Sequence, residues 1–187
     1  MGVSTDGILA YGIDLSEGEE GYAVKVPWAK QSDPDYEEPE DSEEEDEDDG
    51  DLESWWAKIN GVSSDELWKE YYAWEAKWKT GDYSHDSKGV EVFEKKNPKW
   101  REALDKYYED KRTLDGSCPV ELIRHCSCDY PMYILAAKGQ YWNASRGTVV
   151  EIDDLTVNQE ARMKLKEFCR VYDIKFTPKW LLASDWC

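Results

Sequence analysis

Cys118-Pro119-Val120-Glu121-Leu122-Ile123-Arg124-His125-Cys126-Ser127-Cys128-Asp129-Tyr130-Pro131-Met132-Tyr133-Ile134-Leu135-Ala136-Ala137 is the stretch where the chain changes its period. Before it, apolar residues recur every three to four positions. From Cys118 onward they read with a period of two, which places alternate side chains on opposite faces of a strand. Val120 to Cys126, Tyr133 to Ala137 and Thr148 to Ile152 are predicted strands. Lys138-Gly139 is the predicted hairpin turn, and Gln140 to Arg146 extends one of the strands.

Downstream, Thr156 and Gln159 form a capping box that opens a helix running to about Tyr172. Its apolar face is Ala161, Leu165, Phe168 and Tyr172. Trp180 to Trp186 reads as a last strand. Upstream, Asn97-Pro98 starts a helix with Trp100, Ala103, Leu104 and Tyr107 on one face, because proline suits the first helical position. Ser63 and Glu66 cap an earlier one with Leu67, Tyr71, Trp74 and Trp78 on its stripe. Leu52 to Ile59 is a short turn of helix ended by Asn60-Gly61. At the N-terminus, Ile8 to Leu15 and Tyr22 to Val26 read as a β-hairpin, with Gly12 marking a bulge or a close backbone approach. The predicted fold class is α+β, with a mostly antiparallel sheet, about three helices and a long acidic disordered loop. The predicted organisation is an N-terminal hairpin at 1–31 packing on the main domain, an acidic flexible loop at 32–53 and an α+β domain at 54–187.

That loop dominates the electrostatics. Of the 21 residues from Asp33 to Glu53, 15 are Asp or Glu and none is Lys or Arg, in a chain whose formal net charge is −19. The rest of the chain is therefore close to balance. Carboxylates at this density repel one another and stay hydrated, unless a basic surface takes them up. They argue against direct nucleic-acid binding, which needs a basic patch. The cluster Lys95, Lys96, Lys99 and Arg101 is flanked by Glu91, Glu94 and Glu102 and reads as a solvated helix face. An EF-hand with Gly50 at position 6 fails because Trp56 would stand where the bidentate Glu belongs.

Other chemistry is sparse. His125, Cys126 and Cys128, with Cys118 upstream, are weak metal candidates, since zinc ligands usually pair as C-x2-C or C-x4-C and His125 faces away from its neighbours in a strand. His125 and Cys126, being adjacent, cannot form a nucleophile–base pair in a strand, and the second histidine is His85. Asp129, Asp153 and Asp154 are the least arbitrary carboxylates for acid–base work. No phosphate-binding, dinucleotide-binding or hydrolase motif occurs. The chain has five cysteines, no membrane-length apolar run and no signal sequence, so reduced thiols and a cytoplasmic location are expected, with no cofactor and no membrane partner.

His125-Cys126-Ser127-Cys128-Asp129-Tyr130-Pro131-Met132-Tyr133-Ile134-Leu135-Ala136, followed by Ala144-Ser145-Arg146-Gly147, resembles small uncharacterised proteins of actinobacterial phages and their hosts. Asp6 to Leu15 is similar to the start of such proteins. The resemblance implies an accessory protein that acts on host machinery, and it implies no catalytic residues.

The expectation is a non-enzymatic interaction protein that binds and modulates or inhibits a basic host protein, such as a nucleic-acid-processing or defence factor. Its carboxylates would occupy a groove built for phosphates. The expected binding residues are Glu43, Glu44, Glu45, Asp46, Glu47, Asp48, Asp49 and Asp51, with Trp55 and Trp56 as aromatic anchors. The alternatives are a small Cys/His-dependent enzyme or metal protein centred on His125, Cys126 and Cys128, and a self-associating structural protein.

Overall fold

A computed structural model describes residues 5–29, 51–78 and 87–186. The fold is mixed α+β. Among the described residues, four strands and five helices run in the order β1 (Thr5–Asp14), α1 (Leu52–Ile59), α2 (Asp65–Trp78), α3 (Ser87–Lys96), α4 (Pro98–Asp115), β2 (Val120–Ser127), β3 (Pro131–Ala144), α5 (Gln159–Val171) and β4 (Lys179–Trp186). They divide into two compact units. One combines the chain up to Leu52 with the chain from Cys118 onward, and the other is Glu53–Ser117. The boundary at Ser117/Cys118 falls inside the expected 54–187 domain.

The first unit is a sheet closed on itself in the order β1-β3-β2-β4. β1–β3, β1–β4 and β2–β3 are antiparallel. Closure comes from a parallel β2–β4 seam, with Cys126 opposite Asp185 and Ser127 opposite Trp186. Four strands enclose very little space, so the interior must be lined by small or slender side chains. Ala10, Ile134 and Ala136 form it, with Ile123, Leu181 and Ala183 packed against them. Ile134 and Ala136 on β3 and Leu181 and Ala183 on β4 stand two apart, as residues on one face of a strand do. Backbones also approach closely: a Cβ built on Gly12 would lie 2.3 Å from the Leu135 carbonyl oxygen.

That approach sits at an irregularity. Ala10 faces Tyr141 while Gly12 faces Ala136, so β3 carries extra residues opposite Tyr11. Lys138-Gly139 lies inside this bulged stretch of β3 and is not the expected turn. Gly139 takes φ +70°, which a glycine adopts without strain, and the strand runs on through it. β3 instead turns back to β2 through residues 128–130, where the Ser127 hydroxyl accepts from Tyr130 N–H at 3.0 Å.

Two expected strands are absent. Tyr22 to Val26 makes no strand; only Gly21 forms an isolated bridge, to Met132. The Leu15 carbonyl accepts from both Ala23 and Val24 N–H, which curls the segment back on the end of β1. Tyr22 then stacks on Tyr133 at 4.5 Å, and Trp28 is buried against Phe168 of α5 at 6.1 Å. The fully buried Ser16 anchors this turn, donating to Gly21 O at 2.6 Å and accepting from Tyr133 N–H at 2.8 Å. Thr148 to Ile152 is irregular, and Val149 is 89% exposed. Both sides of each barrel strand are already paired, so no sheet edge is open to it. α5 packs its Leu165, Phe168 and Cys169 face inward. Its cap is Asn158, whose side chain accepts from Glu160 and Ala161 N–H; the expected Thr156 lies two residues too early.

The second unit is helical. Its core is Tyr71, Phe93, Trp100 and Leu104, with Leu67, Trp68, Trp74, Val90 and Tyr107 against it. Trp100 meets Phe93 edge-on at 5.2 Å and Trp68 edge-on at 5.6 Å, and its indole N–H donates to Leu67 O at 2.7 Å. α3 was not expected from the sequence. Asn97 precedes Pro98 as foreseen, but its side chain makes no cap bond to α4; it donates back to Phe93 O and closes α3 instead.

Candidate functional site

Of the expected binding residues, Glu43, Glu44, Glu45, Asp46, Glu47, Asp48 and Asp49 lie outside the described residues. Asp51 is half-buried and Glu53 is exposed in the first turn of α1, where a carboxylate suits the helix dipole. The carboxylate run therefore ends on the helix that carries Trp55 and Trp56. Both indoles are partly exposed, with ring centroids 6.3 Å apart, and Trp56 Nε1 donates to Ser117 Oγ at 3.3 Å.

Other aromatics of the helical unit serve packing. Trp68 and Trp74 are half-buried against the core and Tyr72 is the more exposed; the Trp78 side chain lies outside the described part. Two of the four cations of the basic cluster, Lys95 and Arg101, are held in ion pairs. Lys95 reaches Glu91 at 2.6 Å, and Arg101 reaches Glu94 at 2.7 Å and Asp105 at 3.0 Å. Lys96 lies over the Trp74 ring at 5.8 Å. A cleft of about 460 Å³ beside it is lined by Leu67, Glu70, Lys96, Asn97, Lys99 and Trp100.

The His/Cys candidates do not converge on one point. His125 is half-buried on β2, and its Nε2 is buried without a hydrogen-bond partner among the described residues, as is Asp185 Oδ1 on β4. Cys126 is a free thiol with φ +80°, a left-handed backbone that breaks the strand's alternation. Cys128 is exposed and disulfide-bonded, so its sulfur is no thiolate ligand, and the expectation of reduced thiols does not hold there. Cys118 and Cys169 are buried thiols that take part in no disulfide. Cys187 and His85 lie outside the described residues. Among the described residues no group of three or more His, Cys, Asp or Glu is placed to hold a metal ion. Asp129, Asp153 and Asp154 are all exposed, and Asp154 accepts from the Thr156 hydroxyl. The signal missed in the sequence was Arg124: it lies two residues before Cys126, and its Nη2 reaches Cys128 Sγ at 3.5 Å.

Burial lowers the His125 pKa from the usual imidazole value, with Asp14 and Asp185 opposing the shift. The folded state thus favours neutral imidazole, while the unfolded chain takes up a proton below about pH 6.5. Stability from this group is fully present above that pH and is lost as pH falls toward the lowered folded-state value. His125→Gln should therefore lose less urea stability than the parent between pH 7.5 and 5.5. Equal losses in the two proteins would show that His125 is not held neutral.

Compared with known proteins, the chain matches no family model, no curated protein and no solved structure. Among the described residues no helix is long and apolar enough to cross a membrane.

Proposed function

We propose that the protein is a non-enzymatic interaction protein that docks on a basic protein surface through its acidic segment and the adjoining α1. The carrying observation is continuity in the chain. A block of 15 carboxylates runs into the first turn of a helix that carries the partly exposed Trp55 and Trp56. Carboxylates attract a basic partner at long range, which speeds encounter and makes it salt-sensitive. Tryptophans are favoured as short-range anchors, because they bury a large area with few rotatable bonds. The resemblance to phage accessory proteins points to a host protein as the partner. A nucleic-acid-processing or defence factor fits best, since such proteins carry grooves shaped for phosphates, and the cytoplasm is the compartment in which the two would meet.

The test is affinity capture from nuclease-treated actinobacterial lysate, followed by titration with the purified partner. Deleting Asp33–Glu53 should weaken binding at least about tenfold at low salt and flatten its salt dependence. Trp55→Ala should cost more than about 2 kcal/mol of binding if that ring is an anchor. Equal affinity with and without the block at low salt would overturn the mechanism. Binding of the chain to itself, unaffected by the deletion, would replace it with self-association.

A further inference from the structure

Thr148-Val149-Val150-Glu151-Ile152 has the composition of a strand and no strand to pair with. All but Glu151 are β-branched, the type that favours extended backbone. The segment belongs to no strand or helix, yet it runs without turn or bend from Thr148 to Ile152. Among the described residues no hydrogen bond reaches the backbone N–H or C=O groups of Val149, Val150, Glu151 and Ile152. Val149 and Val150 are both exposed.

The segment is a strap held at both ends. On its N-terminal side, Arg146 N–H donates to Asp6 Oδ1 on β1 at 3.0 Å and Thr148 N–H to Ser145 O at 2.9 Å. On its C-terminal side, Trp180 Nε1 on β4 donates to Leu155 O at 2.9 Å, and Asn158 N–H donates to Gln140 Oε1 on β3 at 2.9 Å. A strap anchored in this way loses less conformational freedom on pairing than a loose loop would. Its charge is of one sign. Glu151, Asp153 and Asp154 are exposed, and no ion pair engages them among the described residues.

We propose that Thr148–Ile152 is a docking strand on which a partner protein lays an extended segment that carries Lys or Arg. The backbone groups of Val149 to Ile152 pair with those of the incoming strand and supply affinity, while side chains select the sequence. In an extended chain Val149 and Glu151 share one face. The incoming segment therefore sets an aliphatic residue beside Val149 and a cation beside Glu151, and opposite charges across a strand pair attract. A second copy of the chain fits poorly. It would bring another Glu151, Asp153 and Asp154 alongside, where like charges repel and discourage pairing of exposed strands. This docking needs nothing from the Asp33–Glu53 block, so either can fail without the other.

The test follows hydrogen exchange along the full chain by mass spectrometry, with a capped peptide of alternating lysine and valine as the probe. A second probe has the same sequence with every backbone amide N-methylated, which keeps the charge and removes the donors. The expected result is exchange slowed at least about fivefold across Val149–Ile152 by the first probe, and no slowing there by the second. Glu151→Lys should raise the peptide concentration that half-protects the strap about two- to fivefold. Equal protection by the two probes overturns the proposal, and so does protection confined to other segments. An unchanged half-protecting concentration in Glu151→Lys overturns the basic character of the partner. Protection that appears without peptide and grows with protein concentration overturns the proposal by assigning the strap to a second copy.

Discussion

Gly12→Ala should destabilise the protein by about 3 kcal/mol or more, at the upper end of what overpacking does. The added Cβ would stand 2.3 Å from Leu135 O, 2.8 Å from Ala136 Cα and 2.9 Å from Leu135 C. All three are backbone atoms, so no side chain can swing aside. The β1 and β3 backbones would have to separate at the point where their register already shifts. Gly7→Ala is the matched control on the same strand. Its Cβ would meet nothing nearer than Ala144 O at 4.0 Å, and its effect should stay within about 0.5 kcal/mol. Urea unfolding of both variants decides it. A Gly12→Ala midpoint equal to that of the control would mean that the barrel is looser than the distances say.

Trp100→Ala should be comparably severe for the helical unit, at about 3–5 kcal/mol. The ring is 3% exposed and touches Phe93, Tyr71 and Trp68. Its removal leaves a large void and strips the Leu67 carbonyl of the indole N–H. Trp100→Phe separates the two effects: it keeps much of the aromatic volume and loses only the donor, so it should recover most of the stability. Hydrogen exchange along α2 and α4 is the readout. Unchanged protection in Trp100→Ala would remove this residue from the core.

Local rules carried the sequence reading where they were strong. α1 spans Leu52–Ile59 as read, Pro98 opens α4, β2 begins at Val120, and Gly12 does mark a close backbone approach. The reading failed where tertiary structure overrode a local signal. α3 contains Gly89 and the β-branched Val90 and Val92, and so it shows little helix propensity. It is held because Phe93 reaches the core under Tyr71 and Trp100. Tyr22 to Val26 alternates like a strand, yet a sheet that closes on itself has no room for a fifth member. Closure could not be read from the chain, because the β2–β4 seam rests on two residue pairs with no pattern of their own. At the candidate sites, the carboxylates and tryptophans were plain in composition. The contact of Arg124 with Cys128 was not, since nothing in their spacing marks it.

The barrel also joins the two ends of the described chain, with Thr5 of β1 lying opposite Trp186 of β4. Such pairings lie far apart in sequence and rank among the slowest to form, because the whole intervening chain must be gathered first. During synthesis, β1 waits through the production of all four helices from α1 to α4 before β3 supplies its first neighbour and β4 its second. The residues of Glu53–Ser117 are complete well before that moment. On the ribosome the aromatic helices can therefore assemble while the barrel's first strand is still unpaired.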